Sequence, residues 1–322
     1  MEGRRLAGYV LDPGQIDPKL TRFVPYPTFP LRDSDALSVI FPDQSTQLIA
    51  RRQGMYAGYS ATRSDPSSKA SMVLAVFVFP SAGAAQKAAT GMANSSKDVS
   101  DTVLKYPDLP GAIGNQGAAG TTAFSGQVFI ASGQSVVYVY VNGGISQKAT
   151  VPGRMKTALT RQLAALKAYS PTPKNALMKQ EFDPTGLYAR TLPPAKNYVQ
   201  FGMYSGQGAL HSQADALATA KLFSSTGVDV VAKGRSVLYR AKDAAGATAV
   251  RDAFYAQEVA MNSRYRDFDP GTTAGSPRCL QDSVQSQYVC YATVDRVTIE
   301  YSSLSETDLK RSLETQVALL QQ

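Results

Sequence analysis

The 322-residue sequence has one histidine, two cysteines and no tryptophan. Each scarcity removes a class of chemistry. A single imidazole, His211, cannot build a histidine-rich metal site. It could serve a Ser-His-Asp triad only with a serine on a strained G-x-S-x-G elbow, and no such stretch occurs. Gly202-Met-Tyr-Ser205-Gly206 misses that spacing. His211 is therefore expected as a polar residue at a strand-to-helix junction, not as a catalytic base. Gly206-Gln-Gly208-Ala-Leu-His211 opens like a dinucleotide fingerprint but lacks the third glycine and the βαβ setting. A Walker A run is also missing. No catalytic residue, metal or cofactor is expected.

Long apolar runs are missing too. A membrane-spanning helix needs roughly 18 apolar residues. The longest run here, Met72-Val-Leu-Ala-Val-Phe-Val-Phe79, is strand-sized. Met1-Glu-Gly-Arg-Arg-Leu-Ala-Gly8 lacks the apolar core of a signal peptide. The net charge is +8, but the basic residues are scattered, with few tight pairs such as Arg4-Arg5 and Arg51-Arg52. Nothing forms the basic, aromatic-interleaved stripe of a nucleic-acid binder, so nucleic acid is not an expected partner. A hydrophobic fraction of 43% and a charged fraction of 18% describe globular protein rather than disorder. The length favours two domains over one.

Both cysteines lie in Cys279-Leu-Gln-Asp-Ser-Val-Gln-Ser-Gln-Tyr-Val-Cys290. The spacing suits neither a redox C-x-x-C nor a zinc site, which would need a second ligand pair. Two short β stretches flank a polar turn, so a Cys279–Cys290 disulfide can cross the hairpin. Disulfides persist outside the reducing cytosol, which places the protein in an extracytoplasmic compartment. The alternative is a pair of buried thiols in a cytosolic protein.

The chain also contains itself twice. Ser45-Thr-Gln-Leu-Ile-Ala-Arg-Arg-Gln-Gly54 predicts a Ser-capped helix stopped by glycine. Strands around residues 55–62 and 72–79 follow, then a helix capped by Ser81. From Ser212 the pattern recurs: a helix stopped at Gly227, strands at Val228-Asp-Val-Val-Ala232 and Ser236-Val-Leu-Tyr-Arg-Ala241, then a helix capped by Asp243. Phe124-Ser-Gly-Gln-Val-Phe-Ile-Ala131 and Ser135-Val-Val-Tyr-Val-Tyr-Val141 alternate as a hairpin, and residues 288–293 and 297–301 match them. This alignment places Cys290 close to Phe129. A helix closes each half. The expected fold class is α+β: two tandem repeated units, each a roughly four-stranded antiparallel sheet with helices packed on one face, ferredoxin-like in spirit. The expected organisation is an extended, proline-rich lead-in over 1–33, a first repeat over 34–169, a proline-containing linker over 170–182 and a second repeat over 183–322.

Several stretches resemble actinobacterial (mycobacterial and nocardial) cell-envelope lipoproteins that carry a domain of unknown function. They are Arg4-Arg-Leu-Ala-Gly-Tyr-Val-Leu-Asp-Pro13, Asp183-Pro-Thr-Gly-Leu-Tyr-Ala-Arg-Thr-Leu-Pro193, Gly208-Ala-Leu-His-Ser212, Gly227-Val-Asp-Val-Val-Ala-Lys-Gly234, Tyr239-Arg-Ala-Lys-Asp-Ala-Ala-Gly246 and Ser276-Pro-Arg-Cys-Leu280. The likeness covers nearly the whole chain and is strongest from about residue 183. It implies a leader and a lipidated cysteine upstream of Met1, with the protein anchored to the outer face of the plasma membrane. It implies no activity and assigns no functional residue.

Tyrosine is the one abundant special residue, with 17 copies. Its rigid apolar ring and polar tip suit both sheet packing and binding clefts. The candidate ligand residues are Tyr56, Tyr59, Tyr138, Tyr140, Tyr204 and Tyr239. The expectation is a non-catalytic binding or accessory protein for an envelope lipid or glycolipid, or for a membrane-protein partner. The competing readings are an envelope-polymer enzyme using scattered carboxylates, which requires two converging carboxylates with a raised pKa, and a purely structural interaction module.

Overall fold

Within the strand Ser71–Val78, residues 72–78 are all apolar because the strand is covered on both faces, a setting that removes the usual alternation. It lies at the centre of the first of two units in the computed structural model, which describes residues 1–97, 101–194 and 200–322. The first unit comprises Met1–Gln180 with Gln207–Leu217, and the second Glu181–Gly206 with Ala218–Gln322.

The first unit opens with helices α1 (Glu2–Ala7) and α2 (Pro13–Ile16), strands β1 (Arg22–Phe23) and β2 (Phe29–Leu31), and helix α3 (Gln44–Arg52). Strands β3 (Ala57–Ser64) and β4 (Ser71–Val78) follow, then helix α4 (Ala82–Ser95). Strands β5 (Thr102–Leu104), β6 (Ile113–Ala119), β7 (Ala123–Ser132) and β8 (Ser135–Gly144) lead to helix α5 (Val151–Leu166). The sheet is antiparallel in the order β1-β3-β4-β8-β7-β6-β5, with β2 also on β3. Phe77, Phe129 and Tyr138 point to one face, against α3 and α4. Residues of opposite parity face α5, whose Val151 and Met155 crowd Gly126.

The second unit has strand β9 (Gly202–Ser205), with helices α6 (Gly206–Ala209) and α7 (Ala216–Thr226) next in the chain. Strands β10 (Val230–Lys233) and β11 (Val237–Arg240) precede helix α8 (Ala244–Met261). Strands β12 (Arg266–Phe268), β13 (Arg278–Asp282), β14 (Gln287–Val294) and β15 (Val297–Ser303) precede helix α9 (Glu306–Gln321). The order is β12-β13-β14-β15-β11-β10-β9, again antiparallel. Helix α9 packs Leu309, Leu313 and Val317 on Leu238, Cys290, Ile299 and Tyr301. Helix α8 lies on the opposite face, where Thr298 Oγ1 donates to the Ala247 carbonyl at 2.8 Å.

The α+β class and the repeat are as the sequence predicts: β3-β4-β8-β7 and β10-β11-β15-β14 are the same four-stranded core. The layering is fuller than expected. Each core gains edge strands, and each sheet carries helices on both faces. Residues 1–33, expected to be extended, hold two short helices and two paired strands. Proline misleads there because Pro13 sits at the first position of α2, where it favours a helix, behind an Asp12–Gln15 capping box. The caps at Ser81 and Asp243 and the stop at Gly227 (φ 67°) form as read. Helix α3 is capped by Asp43, two residues before the expected Ser45. Within 170–182, residues Lys174–Lys179 form a 3-10 turn, and the first unit runs on to Gln180.

Both hairpins close through two residues, with Ser132 opposite Ser135 and Val294 opposite Val297. Superposing them puts Cys290 at the place of Val128, one residue from Phe129. A one-residue slip turns a strand's side chains to the other face, so Cys290 packs under α9 and not among the rings. Cys279 lies directly across from it, and the two form a disulfide with a Cα–Cα distance of 4.1 Å.

Candidate functional site

Helix α4 ends at Ser95, short of the end of the sheet beneath it. Beyond it, four neighbouring strands present one cross-strand row: Val73, Tyr140, Gln127 and Asn115. The row behind it is Ala75, Tyr138, Phe129 and Ile113, which enters the core under the helices. Residues 39–46, leading into α3, supply the opposite wall. A cleft of about 520 Å³ results. Val39, Ile40, Phe41 and Val73 make its apolar side, and Asp43, Thr46, Asp101, Asn115 and Gln127 its polar side. Gly117 lets the Asp101 carboxylate lie against the strand, since a Cβ there would stand 2.0 Å from Oδ1.

The tyrosines in this cleft have different roles. Tyr138 is buried, with its ring 4.8 Å from Phe41 and 4.7 Å from Phe129. Its hydroxyl points to Gln127 Oε1 at 3.4 Å, and burial raises its pKa far above the usual phenol value. Tyr140 is half-exposed and offers its ring to the cleft. Gln127 Nε2 donates to the Ser96 carbonyl at 2.6 Å, which ties the end of α4 to the sheet. Asn115 is 4% exposed, yet its side-chain amide makes no hydrogen bond to a described residue.

The other four candidate tyrosines lie elsewhere. The Tyr56 hydroxyl donates to the Thr172 carbonyl at 2.9 Å, and burial raises its pKa to about 12. Tyr59 is buried with its ring centroid 4.8 Å from that of His211. Tyr204 and Tyr239 are buried in the second unit. The structure thus joins Tyr138 and Tyr140 in one cleft and places the rest separately. Asn115 and Gln127 carry no sequence signal. Only strand pairing brings them beside Tyr140.

His211 is fully buried in the first unit. Its Nε2 donates to the Ala7 carbonyl at 3.0 Å, and Nδ1 stands 3.7 Å from Asp12 Oδ2, too far for a hydrogen bond. Asp12 is held instead by Arg63, whose Nε lies 3.0 Å from Oδ2. Both are 1% exposed. Arg63 also donates to the carbonyls of Leu210, Gln213 and Ala214. Burial alone would raise the Asp12 pKa; His211 and Arg63 together hold it below the usual value. The cluster is fully buried and serves architecture.

The second unit carries charge at two places of the shared core where the first has Tyr138 and Ser60. Superposing the hairpins, Tyr239 takes the place of Phe77, Tyr291 that of Phe129, Glu300 that of Tyr138 and Lys233 that of Ser60. The Tyr239 hydroxyl donates to Glu300 Oε2 at 2.5 Å, and that of Tyr291 to Glu258 Oε1 at 3.3 Å. Burial raises the Glu300 pKa against the opposing effects of Tyr239 and Lys233. Burial, and then the Glu300 charge, raise that of Glu258. Burial lowers the Lys233 pKa to about 8. Among the described residues no group of three or more histidine, cysteine or acidic side chains could hold a metal, and no helix is long and apolar enough to cross a membrane.

No curated protein matches the chain. Among solved structures it is similar to the extracellular domain of PknH from Mycobacterium tuberculosis. That match has 14% identity and a TM-score of 0.37, and covers 52% of this chain and 97% of that one. The N-terminal model of a domain of unknown function, DUF7373, matches residues 1–182, and the C-terminal model matches residues 187–322. The two matches together span nearly the whole chain, which therefore belongs to the DUF7373 family.

Proposed function

We propose that this chain is a non-catalytic binding or accessory protein of an extracytoplasmic compartment, with the cleft of the first unit as its ligand site. The observation that carries the reading is the two-sided cleft, apolar along residues 39–41 and polar at Asn115 and Gln127. Its volume falls in the range of small-molecule sites, and its two-sidedness fits an amphiphile such as an envelope lipid or glycolipid. The Cys279–Cys290 disulfide supports an oxidising compartment. Lipid anchoring at the outer face of the plasma membrane, and a membrane-protein partner, belong to the same proposal. The test is mass spectrometry of organic extracts from the purified full-length protein and from Tyr140→Ala. A bound amphiphile lost in the variant is the expected result. A clean wild-type extract would move the weight to a scaffold that binds protein.

A second reading, an enzyme acting on envelope polymers, draws on Glu258 and Glu300, two interacting carboxylates with raised pKa values. Both already accept a hydrogen bond from a tyrosine, and Glu300 stands at the position of the core residue Tyr138. Glu258→Gln and Glu300→Gln should leave any polymer-cleaving activity of the preparation unchanged. A loss in folded variants would favour the enzyme.

A further inference from the structure

We infer that the cleft of the first unit recognises a neutral saccharide, free or as the head of a glycolipid, and discriminates against anionic headgroups. This rests on the reading of the cleft as a ligand site and adds the chemistry of its occupant.

Charge is the first argument. The chain has 33 basic and 25 acidic residues, yet among the described residues no lysine or arginine lines the cleft. Phosphate and carboxylate heads are held by arginine, lysine or open helix N-termini. The nearest helix start, that of α3, is already capped by the Asp43 carboxylate, which accepts from the Ser45 amide at 3.0 Å. An anion would instead face Asp43 and Asp101, both of which line the cleft.

The second argument is the kind of polar group present. Sugar hydroxyls donate and accept at once, and they crowd side by side on a ring. Carboxylates and primary amides match them, with paired oxygens or an oxygen beside an NH2. The cleft supplies two of each: Asp43, Asp101, Asn115 and Gln127. Gln127 and both Asp43 oxygens already bond within the protein, to Ser96, Tyr138 and Ser45. Asn115 differs. It is buried, it lines the cleft, and its amide bonds to no described residue. That leaves its amide open to a ligand in the cleft. An incoming hydroxyl can satisfy both its oxygen and its nitrogen.

The third argument is the apolar wall. A pyranose ring has a C–H face as well as a hydroxyl edge. Tyr140 sits beside Gln127, its cross-strand partner, which is itself beside Asn115. A ring lying on Tyr140 therefore has amide groups at its edge. A pure alkyl chain would leave Asn115 unsatisfied.

Probes sharing one tail separate these possibilities. The full chain is titrated below micelle concentrations with octyl glucoside, octyl mannoside and octyl galactoside, with octyl phosphate, and with methyl glucoside, methyl mannoside and methyl galactoside. Binding is followed by NMR at the side-chain amide of Asn115 and the ring of Tyr140. At least one neutral glycoside should bind, with octyl phosphate about tenfold weaker or more. Asn115→Ala should weaken the glycoside by about tenfold, and Tyr140→Ala should weaken it with the amide intact. The two variants report separately, should one fail to fold. A methyl glycoside as tight as its octyl form marks a free saccharide, and a much weaker one marks a glycolipid. Octyl phosphate binding as well as the best glycoside, with both lost in Tyr140→Ala, overturns the saccharide but keeps the cleft. If no probe shifts either reporter residue, the cleft reading fails as well.

Discussion

Lys233 Nζ lies 5.0 Å from the centre of the Tyr204 ring, and its pKa is brought down to about 8 by burial, with Glu300 pulling the other way. In the first unit the corresponding place is Ser60, so the repeat has replaced a hydroxyl with a desolvated ammonium.

That exchange has a pH signature. The folded pKa of Lys233 is below the unfolded value of 10.5. Between about pH 8 and 10.5 the unfolded chain holds more of this proton than the folded one, so stability from this group rises with pH across that window. Below it the folded state carries the cost of the buried charge. Lys233→Met should be as stable as wild type or more so at pH 7, and the wild type should close the gap by about 1 kcal/mol or more near pH 10. Urea unfolding of both proteins at pH 7 and pH 10 reads the difference and cancels the other groups that titrate there. A constant gap would place the ammonium in a well-solvated site.

Glu2 has the opposite sign. It is buried, and burial would raise its pKa, but Arg5, the Tyr169 hydroxyl, the Thr172 amide and Gln180 all donate to it and bring it down to about 2. A carboxyl with a lowered folded pKa stabilises above its unfolded value, 4.5, and loses that contribution as the pH falls to 2. Glu2→Gln should therefore cost roughly 2 kcal/mol at pH 7 and almost nothing at pH 2. Chemical denaturation across that range tests it, and equal destabilisation at both ends would deny the charge a role. These contacts also draw residues 169–180 onto α1, so part of the expected linker is packed structure.

The parts of the fold that were legible in the sequence are those written in local chemistry. Residues 72–79, the hairpin 124–141 and the caps at Ser81 and Asp243 each carry their own signal. What escaped is set by long-range pairing. Strand β6, Ile-Gly-Asn-Gln-Gly-Ala-Ala, has neither β-branched alternation nor bulk, and becomes a strand because β7 lies beside it. The Cys290–Phe129 alignment slipped by one residue because both strands offer apolar side chains on two faces, so pattern alone does not fix the register. Tyr138 and Tyr140 were visible as candidates two residues apart. Asn115, on a different strand and without a motif, was not.

The disulfide tests that register. In the first unit the pair corresponding to Cys279–Cys290 is Gly114–Val128. An 11-residue separation implies about 3 kcal/mol of stabilisation in the chain-entropy view. Cys279→Ala with Cys290→Val keeps the apolar contact under α9 and removes the cross-link. It should fold, lose about 2–3 kcal/mol relative to the oxidised protein, and become insensitive to reductant. Guanidine melts with and without dithiothreitol measure all three. Equal stability of the oxidised wild type and the double variant would make the cross-link energetically idle.

Arg63 and His211 separate architecture from function. Arg63 is the charge partner of the buried Asp12 and donates to three carbonyls between residues 210 and 214. Removing one member of a buried ion pair leaves the other charge uncompensated, and Arg63→Met should cost about 3–5 kcal/mol, most of the stability of an ordinary domain. His211 makes one hydrogen bond, to Ala7, and fills space against Tyr59. His211→Ala should cost less, about 2–3 kcal/mol for the lost bond and the cavity. Neither residue lines the Tyr140 cleft. A folded His211→Ala protein should therefore bind cleft ligands as wild type does, measured below its lowered melting temperature. Loss of binding in that folded variant would show that His211 does more than pack.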